Sequence, residues 1–523
     1  MEIALDSDAL TGSVGAAAAP QGGAERHFRT DHLLGDLRKR AVSGTLITTA
    51  AQASKFGLNL LSAVVLARLL MPEDFGLVAM VTTITGFLLI FKDAGLSTAT
   101  IQKAEITHAQ VSNLFWINVG VSAALSVIVA ALAPAVAWFY RDPRLVAVTL
   151  ALASAFLVSG AVVQHQALLN RQLRFKAIAV IDISSAIAGL LVGVTMACLK
   201  FRYWSLVGMQ LSTSLAELVL TIWISRWKPQ RPTRGTGTAS LLRFGASLTV
   251  ASVLRRIASV SDNLLIGRWY GAGAVGLYSR AAILFMRPVD QLIVPLEAVF
   301  TPILSRLQND PARYRRTFLQ VYGAVALFSF PVAALFLALS RPLVLLLLGP
   351  KWEQAIPLFG WFTIAALYFP LYYAVMWLLN TQGRGKDIMT TSLILSITTV
   401  ASIVAGLPFG PVGVAAAFSC VGLLVRLPVQ FYIVGRRGPV STADLWVVAL
   451  KHVPNWAVVL GVTHLATRVL PADLHMVLHL CVCASAGIIA GLVLTLCLPW
   501  QRREALRLWD MFKPLIVGNR ASK

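Results

Sequence analysis

Residues 66–77 read LARLLMPEDFGL, and residues 266–277 read IGRWYGAGAVGL. The offset is 200 with no gap. Arg68 falls on Arg268, Gly76 on Gly276 and Leu77 on Leu277; further up the same segments, Lys55 falls on Arg255. Each copy ends one long apolar segment and opens the next through a tight turn. Apolar segments resemble one another by chance because their alphabet is small. Two cations and a turn glycine in one register indicate an internal duplication instead. Repeats in a polytopic protein point first to a transporter.

Of the 523 residues, 57% are hydrophobic and 13% charged. Soluble domains carry about 25% charge, so the chain is an integral membrane protein. A net charge of +22 raises nucleic acid as a partner. The basic residues sit between apolar segments, however, where orientation rules place them, and acidic lipid headgroups are their expected counterpart. Cys198, Cys420, Cys481, Cys483 and Cys497 all lie in apolar segments. Cys481 and Cys483 point about 200° apart on a helix, and no redox or metal spacing occurs. No phosphate-binding glycine motif is present either: GAGAVG (271–276) reads as a turn without a soluble helix behind it. No cofactor or metal is expected.

A bilayer core takes about 20 apolar residues per helix. That rule gives fourteen candidate spans: 43–70, 76–98, 111–140, 145–168, 177–199, 204–225, 244–266, 276–302, 317–340, 354–380, 388–407, 411–434, 446–469 and 475–499. The 446–469 stretch is the weakest, being interrupted by Lys451, His452, Pro454 and His464. With the N-terminus inside, 28 of the 45 Lys and Arg fall on inner loops and tails and 9 on outer turns. Both termini are then cytoplasmic. The expected organisation is a disordered tail over 1–42, a six-helix lobe over 43–226, and a Pro/Gly/Arg-rich linker over 227–243. A second six-helix lobe follows over 244–434, then two further helices over 446–499 and a basic tail over 500–523. Both repeats start from the same side, so their axis runs along the membrane normal. The outer turns RDPR (141–144), KFRYW (200–204) and LPADLH (470–475) leave no room for an external catalytic domain.

Ionisable groups inside spans cost roughly 2.5–3.5 kcal/mol each on insertion scales and tend to face a cavity. Lys55, Arg255 and Arg256 lie about twelve residues into spans 1 and 7, at mid-bilayer depth. If the halves are symmetric, these cations meet across the gap between lobes, where a diphosphate would join them. The plainer alternative is that Asp262 neutralises Arg255 from the same helical face. Asp182, Glu217, Asp262, Asp290 and Glu297 are candidates for carrying a coupling ion, because burial raises a carboxyl pKa. Arg287 can instead neutralise Asp290 at three residues' spacing. Lys92 and Asp93 read as a snorkelling pair at the end of span 2. Pro72, Gly76 and Gly276 mark turns. Pro288, Pro295 and Pro302 recur every seven residues and should bend span 8.

The stretch LARLLMPEDFGLVAM (66–80), followed by FKDAGLSTATIQK (91–103), resembles the polysaccharide-transport family, the Wzx-type flippases. These belong to the multidrug/oligosaccharidyl-lipid/polysaccharide exporter superfamily. Pro72, Phe75 and Gly76, then Asp93, Gly95 and Leu96, match the family's first hairpin. SVSDNLLIGRWYGAGAVGLYSRA (259–281) and TPILSRLQND (301–310) are similar to its seventh and eighth spans. The resemblance covers about residues 40–435. It implies an all-α fold of two six-helix lobes in a V around a central cavity. It also implies alternating access, driven by an ion gradient, that carries an undecaprenyl-diphosphate-linked oligosaccharide to the outer leaflet of the bacterial cytoplasmic (inner) membrane. A polysaccharide polymerase and a chain-length regulator are the further partners it implies, in exopolysaccharide, capsule or O-antigen (lipopolysaccharide) synthesis. The competing readings are a drug or small-molecule exporter of the same superfamily, which would favour acids in the cavity, and a membrane enzyme acting on the carrier lipid.

Overall fold

The computed structural model describes residues 37–88, 96–103, 106–233, 238–471 and 475–506. The expected tail up to residue 36, Lys92, Asp93 and Gly95, and the basic tail beyond residue 506 lie outside the described residues. The described chain is helical, with no strand. The first group runs α1 (Leu37–Leu69), α2 (Pro72–Leu88), α3 (Leu96–Gln102), α4 (His108–Tyr140), α5 (Arg144–Arg171), α6 (Phe175–Cys198) and α7 (Trp204–Ser225). The second runs α8 (Thr238–Arg306), α9 (Pro311–Ala338), α10 (Ser340–Leu347), α11 (Ile356–Ala365), α12 (Phe369–Thr381), α13 (Gly385–Gly406), α14 (Gly410–Val421) and α15 (Leu427–Gly435). Then come α16 (Thr442–Lys451), α17 (Val453–Val469) and α18 (Met476–Cys497). Where they are described, the expected apolar stretches fall mostly on helix, and ten helical stretches among the described residues are long and apolar enough to cross a bilayer.

Local chemistry sets the boundaries. α4 starts on a capping box between Thr107 and Gln110 and stops where Arg141 turns left-handed. Asp310 caps α9, with Pro311 in its first turn. The turn between α1 and α2 is fixed by Asp74, whose carboxylate accepts from Met71 N at 3.0 Å. α8, at 69 residues, would be about 104 Å long if straight, far more than a bilayer core. It folds back at Gly271, the one position inside it with non-helical backbone (φ 76°, ψ −175°), a conformation glycine adopts without steric cost. Tyr278 lies within electrostatic reach of Asp262 across this hairpin. Pro288, Pro295 and Pro302 lie within the helical second arm. The stretch expected as one span over 446–469 is broken at His452, between α16 and α17.

Within the first group, α4 packs on α5, α6 on α7, and α1 on α6. α17 and α18 pair with each other and lean on α9. The chain after α7 is not a loose linker at its start. Trp227 is buried against Phe115 and His165. The Trp116 indole donates to Gln230 O at 2.8 Å. Asn113 donates to Thr233 O at 2.7 Å and accepts from Thr233 N at 2.9 Å. Residues 226–233 therefore run along the first turns of α4 as a strap.

The groups meet where the two repeated stretches meet: α2 packs on the second arm of α8. A Cβ on Gly76 would overlap the Ala272 carbonyl; a Cβ on Gly276 would overlap the Pro72 carbonyl and come to 3.1 Å from Gly76 N. Pro72 and Ala272 are themselves 200 residues apart. The contact is thus reciprocal, as at a two-fold interface. The two helices touch backbone to backbone, the way small residues allow in membrane interiors.

Candidate functional site

The expected site consists of cations on α1 and α8 with acids on the neighbouring helices. Lys55, on α1, forms an ion pair with Asp182 of α6 at 3.2 Å. Both side chains keep partial exposure, 46% and 29%, so this is a loose pair and not a buried lock. Arg255 and Arg256 sit on the first arm of α8, and their side chains lie outside the described residues. Glu217 accepts from Gln166 Nε2 at 2.7 Å between α7 and α5. The two candidate acids without a partner near in sequence, Asp182 and Glu217, are thus each engaged across a helix pair of the first group.

In the second group, Tyr278 lies within electrostatic reach of Asp262, Arg426 and Tyr368. Arg426 is 4% exposed. It donates to the Tyr368 hydroxyl at 3.1 Å and the Phe418 carbonyl at 2.7 Å, and stacks on the Phe418 ring at 4.4 Å. A π-turn over Gly422–Arg426 carries it, a distortion common at functional positions. Arg287 acts on Asp290, and Tyr373 of α12 lies within electrostatic reach of both Asp290 and Glu297. The candidate acids on α8 therefore each lie within electrostatic reach of a tyrosine, Asp262 of Tyr278 and Asp290 and Glu297 of Tyr373.

Arg280 reaches the seam between groups. The Arg280 guanidinium, half-buried, lies 4.1 Å over the Phe75 ring, a cation–π contact from the second group to the first. The far edge of Phe75 meets Trp352 at 5.3 Å. Arg280 is one of several basic residues within the apolar stretches. The available signal was its position one helical turn after Gly276, set against Phe75 directly before Gly76. Trp352 had no such signal beyond standing in a Gly-Pro turn.

The fold, with ten helical stretches among the described residues long and apolar enough to cross a bilayer, is that of a multi-pass membrane protein. Residues 65–357 match the family described as "Polysaccharide biosynthesis protein". The chain belongs to that family, the polysaccharide-transport flippases of the multidrug/oligosaccharidyl-lipid/polysaccharide exporter superfamily. It is 26% identical over 406 residues to the lipopolysaccharide biosynthesis protein WzxC of Escherichia coli (strain K12), covering 76% of this chain and 82% of that one. It is 24% identical over 388 residues to the succinoglycan biosynthesis transport protein ExoT of Rhizobium meliloti (strain 1021), covering 74% and 78%. In structure it is similar to the lipid II flippase MurJ in an inward closed conformation. The TM-score is 0.68 at 14% identity, covering 86% of this chain and 98% of MurJ. An inward-facing multidrug transporter of the MATE family superposes with TM-score 0.56 at 17% identity, covering 75% of this chain and 95% of that one. These last two likenesses are of fold.

Proposed function

We propose that the chain is a flippase that carries an undecaprenyl-diphosphate-linked oligosaccharide from the cytoplasmic to the outer leaflet of the bacterial inner membrane. It serves exopolysaccharide, capsule or O-antigen synthesis and has no catalytic activity of its own. The observation that carries this reading is the reciprocal Gly76–Ala272 and Gly276–Pro72 contact, in a chain of this family. Two related halves joined at one end can rock about that contact and expose a space between them to either side.

In this reading the chain crosses the membrane fourteen times with both termini cytoplasmic. The lobes are 43–226 and 244–434, joined by 227–243; 446–499 adds two helices and 500–523 a basic tail. The closed end faces outward. Lys55, Arg255 and Arg256 receive the diphosphate, and Arg280 faces it from the seam. The exposed Lys55–Asp182 pair supports this role, since a phosphate can displace a loosely held carboxylate. Asp182, Glu217, Asp262, Asp290 and Glu297 are the groups through which an ion gradient drives the cycle. Pro72, Gly76, Gly276, Pro288 and Pro295 take up the change of shape. A polymerase and a chain-length regulator act on the delivered unit.

The test is deletion of the gene with assay of polymer export and of the lipid-linked oligosaccharide in each leaflet. Loss of polymer with accumulation on the cytoplasmic side supports the flippase. Accumulation on the outer side, or no change, sinks it.

A further inference from the structure

The end of α1 poses a problem that the second group solves. The last carbonyls of a helix have no partner within it. Leu70 N returns to Leu66 O at 2.9 Å, but Ala67, Arg68 and Leu69 lead into a turn closed by Pro72, which has no N–H to give. No glycine follows to cap the helix. The donors come from residues 350–355, a short 3-10 helix after α10. The Trp352 indole donates to Ala67 O at 2.8 Å. The Lys351 ammonium donates to Arg68 O at 3.4 Å and Leu69 O at 3.5 Å. A cation there also meets the negative end of the helix dipole.

The arrangement is returned from the other side. α10 ends at Leu347, and Arg68 of α1 donates to Leu346 O at 2.5 Å. Each group thus supplies the cap that the other's helix lacks. Gly349, at φ 96°, turns the chain so that Lys351 and Trp352 reach across. Trp352 is fully buried at the seam, edge-on to Phe75, with Arg280 on the ring's face. The repeat offset shows this segment to be an addition: it is 200 at Gly76 and Gly276 but 210 where LLNRQ (168–172) falls on LLNTQ (378–382), so the second half carries ten more residues between α9 and α12.

We infer that Lys351 and Trp352 are positioning residues of the transport cycle. They cap the C-terminus of α1 across the seam and so hold the two halves together at this end. The inference rests on the alternating-access reading for its role in export, and on these hydrogen bonds alone for the latch. The caps exist only while the ends are together. Opening exposes the same carbonyls and the indole N–H to water, which replaces the lost bonds. The latch therefore biases an equilibrium without locking it.

The test uses the full chain in lipid nanodiscs, without substrate. Its five cysteines are replaced by serine, and spin labels are set at Phe201→Cys and Phe409→Cys, both exposed positions. Electron–electron distance measurements then read the separation of the halves. The parent should give a dominant short distance. Lys351→Met and Trp352→Phe, which keep the bulk and remove the donors, should each raise the longer-distance fraction about fivefold, the scale of one lost helix cap. Lys351→Arg should restore the parent distribution, which a merely disturbed fold would not do. An unchanged distribution in the Lys351→Met, Trp352→Phe double variant, with thermal stability equal to the parent, overturns the latch. Polymer export by the same variants is scored separately. A distance shift in a strain whose export never depended on this gene leaves the latch standing and removes the flippase.

Discussion

Gly76 and Gly276 face one another across the seam, each pressed against the backbone that leads into the other's helix. Neither position has space for a methyl group. A side chain at either must push two backbones apart, and overpacking of this kind costs about 1–3 kcal/mol. Gly76→Ala and Gly276→Ala are each expected to lower the thermal unfolding temperature of the purified protein. Because both act on one contact, the double variant should lose less than the sum of the two. Additive losses would mean that the two glycines belong to separate contacts.

Charge removal addresses the diphosphate site. Lys55→Ala combined with Arg255→Ala is expected to reduce polymer export at least about tenfold, the scale of one lost charge-assisted hydrogen bond, with protein level and insertion retained. Asp182→Asn frees Lys55 from its 3.2 Å partner but removes one of the proposed coupling carboxylates, so it too should lower export. Export at full level in the double variant would refute the anion site.

At the closed end, Arg144 binds Asp142 through Nε and Nη2 and reaches Glu73 at 2.7 Å. The hydrogen bond from Arg144 holds the Asp142 carboxyl below its usual range. A depressed carboxyl contributes stability above its unfolded pKa of about 3.9 and loses it as pH falls through the folded value. Asp142→Asn should therefore lower the unfolding temperature at pH 7, and the gap to the parent should close below about pH 4. The Asp142 side chain is 16% exposed and Arg144 39%, so the pair lies near enough to the surface for the effect to stay on the order of 1 kcal/mol. A gap that widens in acid would show that the pair is not the cause.

Arg426 sits in the interior of the second group with its charge held by a hydroxyl, a carbonyl and two rings. Arg426→Ala removes bonds of the charged class, worth about 1.5–3 kcal/mol each. It should destabilise the fold more than Lys55→Ala does. Arg426→Lys should recover little of that loss, because an ammonium cannot span Tyr368 and Phe418 as a planar fork does. Intrinsic fluorescence melting in detergent reads both.

Much of the architecture was legible because it is written in local patterns. Apolar length located the helices, and the offset of 200 located the seam, since turn residues at fixed spacing carry their own geometry. The partners of Lys55 and Glu217 were not legible. They come from helix pairs that only packing brings together, across 127 residues for Lys55–Asp182 and 51 for Glu217–Gln166. Nor were the contacts that tie the start of the expected linker to α4 legible: the burial of Trp227 and the bonds from Asn113 and Trp116 come from packing, which composition does not announce. Arg426 was seen as a cation in a span, but its inward aim depends on a π-turn that no short motif announces.

The strap along α4 sets a leash. With residues up to Thr233 fastened to the first half and α8 beginning at Thr238, five peptide steps join the two. Fully stretched they reach about 18 Å. At that corner the aperture cannot grow wider than this tether, so any broader gape has to open on the far flank, away from it. Lengthening the tether, and not loosening the hinge, would be the way to enlarge the bore for a bulkier cargo.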